Sequence, residues 1–277
     1  MKILDTVFVY RLAHGENLSF HGRYHAHGDN EYEVHFFLEG EGSFLSNTAR
    51  LAINNNSLFL AGPHEFHSIM PDKVTKPITY YAVLFSLDEK TDPEIYNILT
   101  LILKSRAIKR QGSSANRFLI EELLRLSSSN EEGLEKSALY LLYSLLYRWF
   151  SGEISNITPA IAMQEKKKNQ ALVQNVLTFF STHLKEQISI SSVAYRFGLS
   201  AEHFIRIFRE EMHMTPYQYF MRLRTEAAAQ ELISSKKSIA EIAENFAFEN
   251  QFHFSRVFKN CTGFTPSAYK KYYSRPN

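Results

Sequence analysis

The stretch FSRVFKNCTGFTPSAY at 254–269 repeats the pattern of FIRIFREEMHMTPYQY at 204–219. Phe, Arg, Phe, Thr-Pro and a closing Tyr recur at the same relative positions. No other feature of the chain constrains its fold as strongly. Upstream, SISSVAYRFGLS at 189–200 lies over SIAEIAENFAFE at 238–249 with an offset of 49, and one extra residue in the second copy then makes the offset 50. Each copy carries the same local physics. Ser189 or Ser238 can cap a short helix. Ala194 or Ala243 is small where a second helix must cross closely. Gly198 permits a tight turn. Phe204 and Phe208, or Phe254 and Phe258, face inward from a second helix. A Thr cap followed by Pro then opens the next one. This is the grammar of a helix-turn-helix, whose second helix enters the DNA major groove. One such match is weak evidence, but two in tandem with matching exits are strong. TPYQYFMRLRTEAAAQELIS predicts one continuous helix joining the two units over 215–235, which would fix their spacing along a duplex.

The remainder of the chain has a different texture. With 277 residues, 44% hydrophobic and 22% charged, there is room for two domains. Up to about residue 85, short alternating runs (TVFVYR, EVHFFLEG, SLFLAG, TYYAVLFS) sit between Gly, Asn and Pro clusters, which predicts a small barrel or jelly roll. Helices follow. Asp92-Pro93 reads as a capped start, then come EIYNILTLILK, NRFLIEELLRL and GLEKSALYLLYSLLYRWF. The last carries a stripe of Leu134, Ala138, Leu141, Leu145 and Trp149, widened by Leu142, Leu146 and Phe150. That stripe either packs on the barrel or forms a homodimer seam. Residues 151–170, with a Pro and a Lys run, read as a linker. ALVQNVLTFFSTHLKEQ then predicts an amphipathic helix with Leu172, Val176, Phe179 and Phe180 on one side.

Charge divides along the same line. Residues 169–277 hold 13 Lys and Arg against 9 Asp and Glu, while the rest holds 18 against 20. A modestly basic C-terminal part suits phosphate contact. The single cysteine, Cys261, excludes an internal disulfide and fits a reducing cytosol. The N-terminus reads as a strand rather than a signal peptide, and no apolar run approaches a membrane span.

IAEIAENFAFENQFHFSRVFKNCTGFTPSAYKKYY resembles the signature of the AraC/XylS family of bacterial transcription regulators. One departure stands out: Ala247 occupies the place of the usual turn glycine. The resemblance implies an α+β chain of two domains. A cupin-like effector barrel is expected at 1–90, dimerisation helices at 91–152, a linker at 153–169 and an all-α DNA-binding domain at 170–277. Within the last, the helix-turn-helices fall at about 189–212 and 238–261. It further implies a cytoplasmic, homodimeric activator that binds double-stranded DNA, works with RNA polymerase and answers to a small-molecule effector, with a carbohydrate as the expected class.

The outward residues of the first recognition helix are Ala201, Glu202, Ile205, Arg206 and Arg209. Those of the second are Asn250, Gln251, His253, Ser255, Arg256 and Lys259. Arg206 can reach guanine bidentately, Ile205 can pack on a thymine methyl, and Asn250 or Gln251 can pair with adenine. Lys259 suits a phosphate. In the front half, HAHGDNEYEVHFFLEGEG and a later His67 carry the polar groups expected to hold the effector: His25, His27, Glu33, His35 and His67. No cofactor is expected, but His25, His27, Glu31 and His67 leave a divalent metal open, since imidazole with carboxylate suits such ions. His25, His27, Glu31, Glu33 and His35 share odd parity, and so one face of a strand if no turn interrupts it. A metal-dependent cupin enzyme carrying a DNA-binding tail is the competing function. In an enzyme, however, a tandem helix-turn-helix would be idle, and no nucleophile with an adjacent base is legible.

Overall fold

A computed structural model describes residues 1–16, 24–47, 49–129, 131, 133–150 and 163–273. The chain divides into two compact units, Met1–Thr158 and Pro159–Asn277.

The first unit is built on an antiparallel sheet. β1 (Lys2–Leu12), β6 (Lys76–Ser86), β2 (Glu31–Ser46), β4 (Ser57–Ala61) and β7 (Lys109–Gln111) lie in that order, and β3 (Ala49–Ile53) and β5 (His67–Ile69) also pair with β2. The 16-residue β2 is the organiser. Its first half pairs with β4 and β6, and its second half with β3 and β5. Between the halves its register against β6 shifts, and Gly40 sits there at φ +108°. A Cβ on Gly40 would stand 2.5 Å from the Pro77 carbonyl oxygen, so only glycine lets β2 turn from one set of partners to the other. Strand pairing links β1 to β7 through the sheet without joining those two edges among the described residues. The cupin-like sheet is therefore folded over rather than closed. β7 lies beyond residue 90, so strand structure continues past the expected end of the barrel.

The strand period of two decides what each side of β2 does. Tyr32, Val34 and Phe36 face one way, into a core shared with α1 (Pro93–Ser105), α2 (Asn116–Ser127) and α3 (Leu134–Phe150). Glu33, His35 and Phe37 face the other way and are fully buried there. Ala138, Leu142, Leu145, Leu146 and Phe150 of the α3 stripe are spent on the helix–sheet core. Pro93 opens α1 as expected, but Asp92 does not cap it with its side chain. Its carboxylate accepts instead from the hydroxyls of Thr91 and Tyr143.

The second unit is all helix among its described residues: α4 (Met163–Thr182), α5 (Ile190–Arg196), α6 (Ala201–Met212), α7 (Pro216–Ser234), α8 (Ile239–Asn245), α9 (Gln251–Thr262) and α10 (Pro266–Tyr273). Residues 151–162 of the expected linker lie outside the described residues. Its end, from Met163, is helix rather than linker, because Gln, Glu and Lys are good helix formers and no breaker intervenes. α4 buries Val173, Val176, Leu177 and Phe180, so its inner face is rotated slightly from the expected one, leaving Leu172 and Phe179 half-buried. Phe179 instead stacks on His183, with ring centroids 3.9 Å apart.

The caps fall where the sequence puts them. The Ser189, Ser200, Thr215 and Ser238 hydroxyls accept from the backbone N–H three residues on, and Thr215–Gln218 and Ser238–Glu241 form complete capping boxes. The turns inside the two helix-turn-helices have the same hydrogen bonds. Gly198 N–H donates to Tyr195 O (3.0 Å) and Leu199 N–H to Ala194 O (3.0 Å). Ala247 N–H donates to Glu244 O (2.9 Å) and Phe248 N–H to Ala243 O (2.9 Å). Both are Schellman closures, which need a left-handed residue after the helix. Gly198 takes φ +71° without strain, while Ala247 takes φ +50° with a Cβ in place.

Candidate functional site

The DNA-facing surface of the second unit follows from helix period and core. α6 buries Phe204, Ile207 and Phe208, and α9 buries Phe254, Phe258 and Cys261. This turns Glu202, Ile205, Arg206 and Arg209 outward on α6, and Gln251, Arg256 and Lys259 outward on α9. The α6 set, with Glu210, lines a shallow depression. Arg206 is held along the helix by Glu210 (3.0 Å), an exposed pair weak enough to give way to a base or phosphate. Ala201 is only half-exposed.

α9 departs from expectation at three positions. Asn250 is the helix cap. Its carboxamide oxygen accepts from the N–H groups of Phe252 (3.0 Å) and His253 (2.8 Å), so it cannot offer adenine the paired donor and acceptor edge. His253 is half-buried, its ring edge against Phe248 and its Nδ1 3.8 Å from Glu249. Ser255 is also half-buried. Sequence reasoning passed over Phe252, which is 78% exposed in the first turn of α9. The signal was there, since it aligns with outward-facing Glu202 and a large aromatic on that face has no core to fill.

Arg224 was also missed. It is buried on α7 and donates to Ala247 O (3.2 Å) and to Glu186 O, with its guanidinium over the Phe220 ring at 4.4 Å. Burial lowers it to about 10, so it stays charged near neutrality. It thereby ties the loop before the first helix-turn-helix to the turn of the second.

In the first unit the structure gathers the expected effector residues around one atom. Glu33 Oε2 lies 2.8 Å from His67 Nε2, 3.0 Å from His27 Nε2, 3.6 Å from His35 Nε2 and 3.8 Å from His25 Nε2. All five side chains are buried. Chain pairing builds this geometry. His25 and His67 are bridged backbone to backbone (3.2 and 2.9 Å), and His64 N–H donates to His27 O (3.1 Å). A turn interrupts the strand parity at Gly28–Asn30, with Asn30 at φ +60°. Glu31 consequently folds back to accept from Gly28 N–H (2.9 Å), and the carboxylate of the cluster is Glu33 rather than Glu31.

The surrounding shell is firm. Glu65 accepts from Gly62 N–H (2.9 Å), Asn47 Nδ2 (3.2 Å) and Arg106 (3.0 Å), and its carbonyl receives His67 Nδ1 (3.1 Å). Burial raises the Glu65 carboxyl above the usual range, against its hydrogen bonds and Arg106. Desolvation lowers His27 and favours its neutral ring, although the hydrogen bond to Glu33 opposes this. Phe37, Phe44, Phe59 and Tyr80 wall the interior, with His35 5.1 Å from Phe44.

Comparison with known proteins matches these two halves separately. Residues 6–146 match the model of the AraC-like ligand binding domain, and residues 193–272 match a helix-turn-helix domain. Three relatives align over both units. The Msm operon regulatory protein of Streptococcus mutans is 23% identical over 87% of this chain and 84% of its own length. The raffinose operon transcriptional regulatory protein RafR of Pediococcus pentosaceus is 24% identical over 87% and 85%. The lactose operon transcription activator of Staphylococcus xylosus is 23% identical over 88% and 85%. Among solved structures, an apo ToxT variant from Vibrio cholerae shares the fold with a TM-score of 0.57 at 12% identity, over 99% of this chain and 98% of that one. All three of these relatives are named as transcription or operon regulators, and no described helix is long and apolar enough to cross a membrane. A sheet unit matching a ligand-binding domain, joined to tandem helix-turn-helices with open outer faces, places the chain in the AraC family of effector-controlled, DNA-binding transcriptional regulators.

Proposed function

We propose that this chain is a cytoplasmic, homodimeric activator of an operon for carbohydrate use, whose hold on its operator is set by a sugar-class effector. The observation that carries the reading is the pair of outward sets, Ile205, Arg206 and Arg209 on α6 and Gln251, Arg256 and Lys259 on α9, presented at one offset by one shared helix. Nineteen residues of α7 span about 28 Å, a length suited to spacing two readers along one face of a duplex. Relatives named for raffinose and lactose operons, aligned over both units, support a saccharide as effector and activation as the output.

In this reading the effector seats in the N-terminal unit beside the cluster of His25, His27, Glu33, His35 and His67. Two chains associate through the α1–α3 face, where Phe118 and Tyr140 are exposed at 73% and 70%, and the DNA-bound dimer recruits RNA polymerase. Footprinting on the DNA upstream of the chain's own gene, with a panel of mono- and oligosaccharides, tests it. Protection of paired half-sites that one saccharide strengthens is the expected result. Protection that no saccharide alters would overturn the effector assignment.

A further inference from the structure

Four imidazoles packed around a single carboxylate oxygen leave no space among themselves for an organic molecule. Each of His25, His27, Glu33 and His67 offers one ligand atom, and these atoms all lie within 4.8 Å of one another. The three imidazole rings stand 4.5–5.1 Å apart by centroid. Two ligands that each stand about 2.1 Å from a common ion, at angles of 90–109°, are separated by roughly 3.0–3.4 Å. The observed contacts of 2.8, 3.0 and 3.8 Å to Glu33 Oε2 bracket that range.

The orientation of His67 adds an independent argument. Its Nδ1 faces the Glu65 carbonyl, a group that can only accept, so Nδ1 carries the hydrogen. Its Nε2 then faces the Glu33 carboxylate oxygen, 2.8 Å away. An imidazole fixed through Nδ1 to a backbone carbonyl, with Nε2 turned inward, is how a protein prepares a histidine to ligate a metal. Glu65 is itself anchored by three donors, so the carbonyl that orients His67 is held in place.

We propose that His25, His27, Glu33 and His67 hold one divalent first-row transition ion, of the zinc class, inside the ligand-binding unit. Three imidazoles and one carboxylate suit such an ion, whereas calcium and magnesium prefer all-oxygen sites. His35, 3.6 Å from the same carboxylate oxygen, lies outside the set. The ion ties three parts of the chain together: the segment carrying His25 and His27, the first half of β2, and β5.

The test uses the full-length chain carrying no polyhistidine tag. Metal content is measured by mass spectrometry on the protein as purified. It is measured again after chelator dialysis and reloading with Zn2+ or Co2+, with Trp149 emission reporting thermal unfolding of the N-terminal unit. One ion per chain is expected, with a visible Co2+ absorption band and a higher unfolding temperature in the loaded protein. His27→Ala and Glu33→Gln should each lower the content at least fivefold and abolish the metal-dependent shift. His203→Ala, in the other unit, should keep one ion. Circular dichroism of each apo variant shows whether it is folded, and if one is not, the other carries the test.

A folded wild-type chain that takes up no Zn2+, Co2+, Ni2+, Fe2+ or Mn2+ stoichiometrically would overturn the proposal. Uptake undiminished in both variants would overturn it as well. Neither result bears on operator binding, which footprinting reads separately.

Discussion

Replacing Ala247 by glycine should stabilise the DNA-binding unit. Ala247 holds φ +50° in the Schellman turn of the second helix-turn-helix, where its counterpart Gly198 holds +71°. A left-handed L-residue costs about 1–2 kcal/mol. Glycine relieves that cost but restores about 0.4–1 kcal/mol of unfolded-chain entropy. The net gain is therefore about 1 kcal/mol. For a unit the size of Pro159–Asn277 this raises the melting temperature by about 3–5 °C.

The assay exploits Trp149, the sole tryptophan of the chain, which lies in the other unit. Far-ultraviolet circular dichroism follows helices in both units and should show the shift, while the Trp149 transition stays fixed. Gly198→Ala is the matched control. A Cβ there meets nothing within 4 Å, so its net cost of about 1 kcal/mol is backbone strain less the entropy that alanine removes from the unfolded chain. The double swap, Gly198→Ala with Ala247→Gly, should return close to the parent. If Gly198→Ala carried its full cost while Ala247→Gly gave no gain, residue 247 would not be left-handed in solution and the shared turn geometry would be refuted.

Arg256→Ala and Arg206→Ala should each weaken specific operator binding by about 1–3 kcal/mol if they read bases. Equal losses on random DNA, in the same mobility-shift titration, would make them phosphate contacts only. Asn250→Asp keeps the capping oxygen and should leave unit stability near its parent value, whereas Asn250→Ala should cost about 1 kcal/mol in denaturant midpoint. Arg224→Met should cost about 2–4 kcal/mol, since it strips charge-assisted donors from the Ala247 and Glu186 carbonyls. Urea unfolding followed by circular dichroism measures it, and a loss below 1 kcal/mol would show that water satisfies both carbonyls.

The second unit was legible because its signals are local. Caps at Ser189, Thr215 and Ser238, Pro at first helical positions and the Phe spacing act within a few residues, and duplication states them twice. The left-handed turn at Ala247 could be posed as a question from the missing glycine, but only the backbone answers it. Asn250 was misjudged because Asn both caps helices and pairs with adenine, and the choice rests on where α9 begins.

The histidine cluster was half legible. His25, His27 and His67 were found by type and spacing. Glu33 and Glu31 share parity, and only the turn at Gly28–Asn30 separates their fates. Register across strands, such as the bridge between His25 and His67, is written in pairings between distant residues and leaves no local pattern.

Arg224 makes the tandem architecture something other than two interchangeable parts. The duplication is plain in the residues, and a recombination event or a designer might treat each copy as a cassette. Yet one guanidinium on the helix between them holds both the loop leading into the first copy and a turn of the second. Excised alone, either copy would leave an orphaned carbonyl or an unmatched buried cation. Once the pair had acquired this joint, the two halves could vary in what they read, but they could no longer be traded or lost separately.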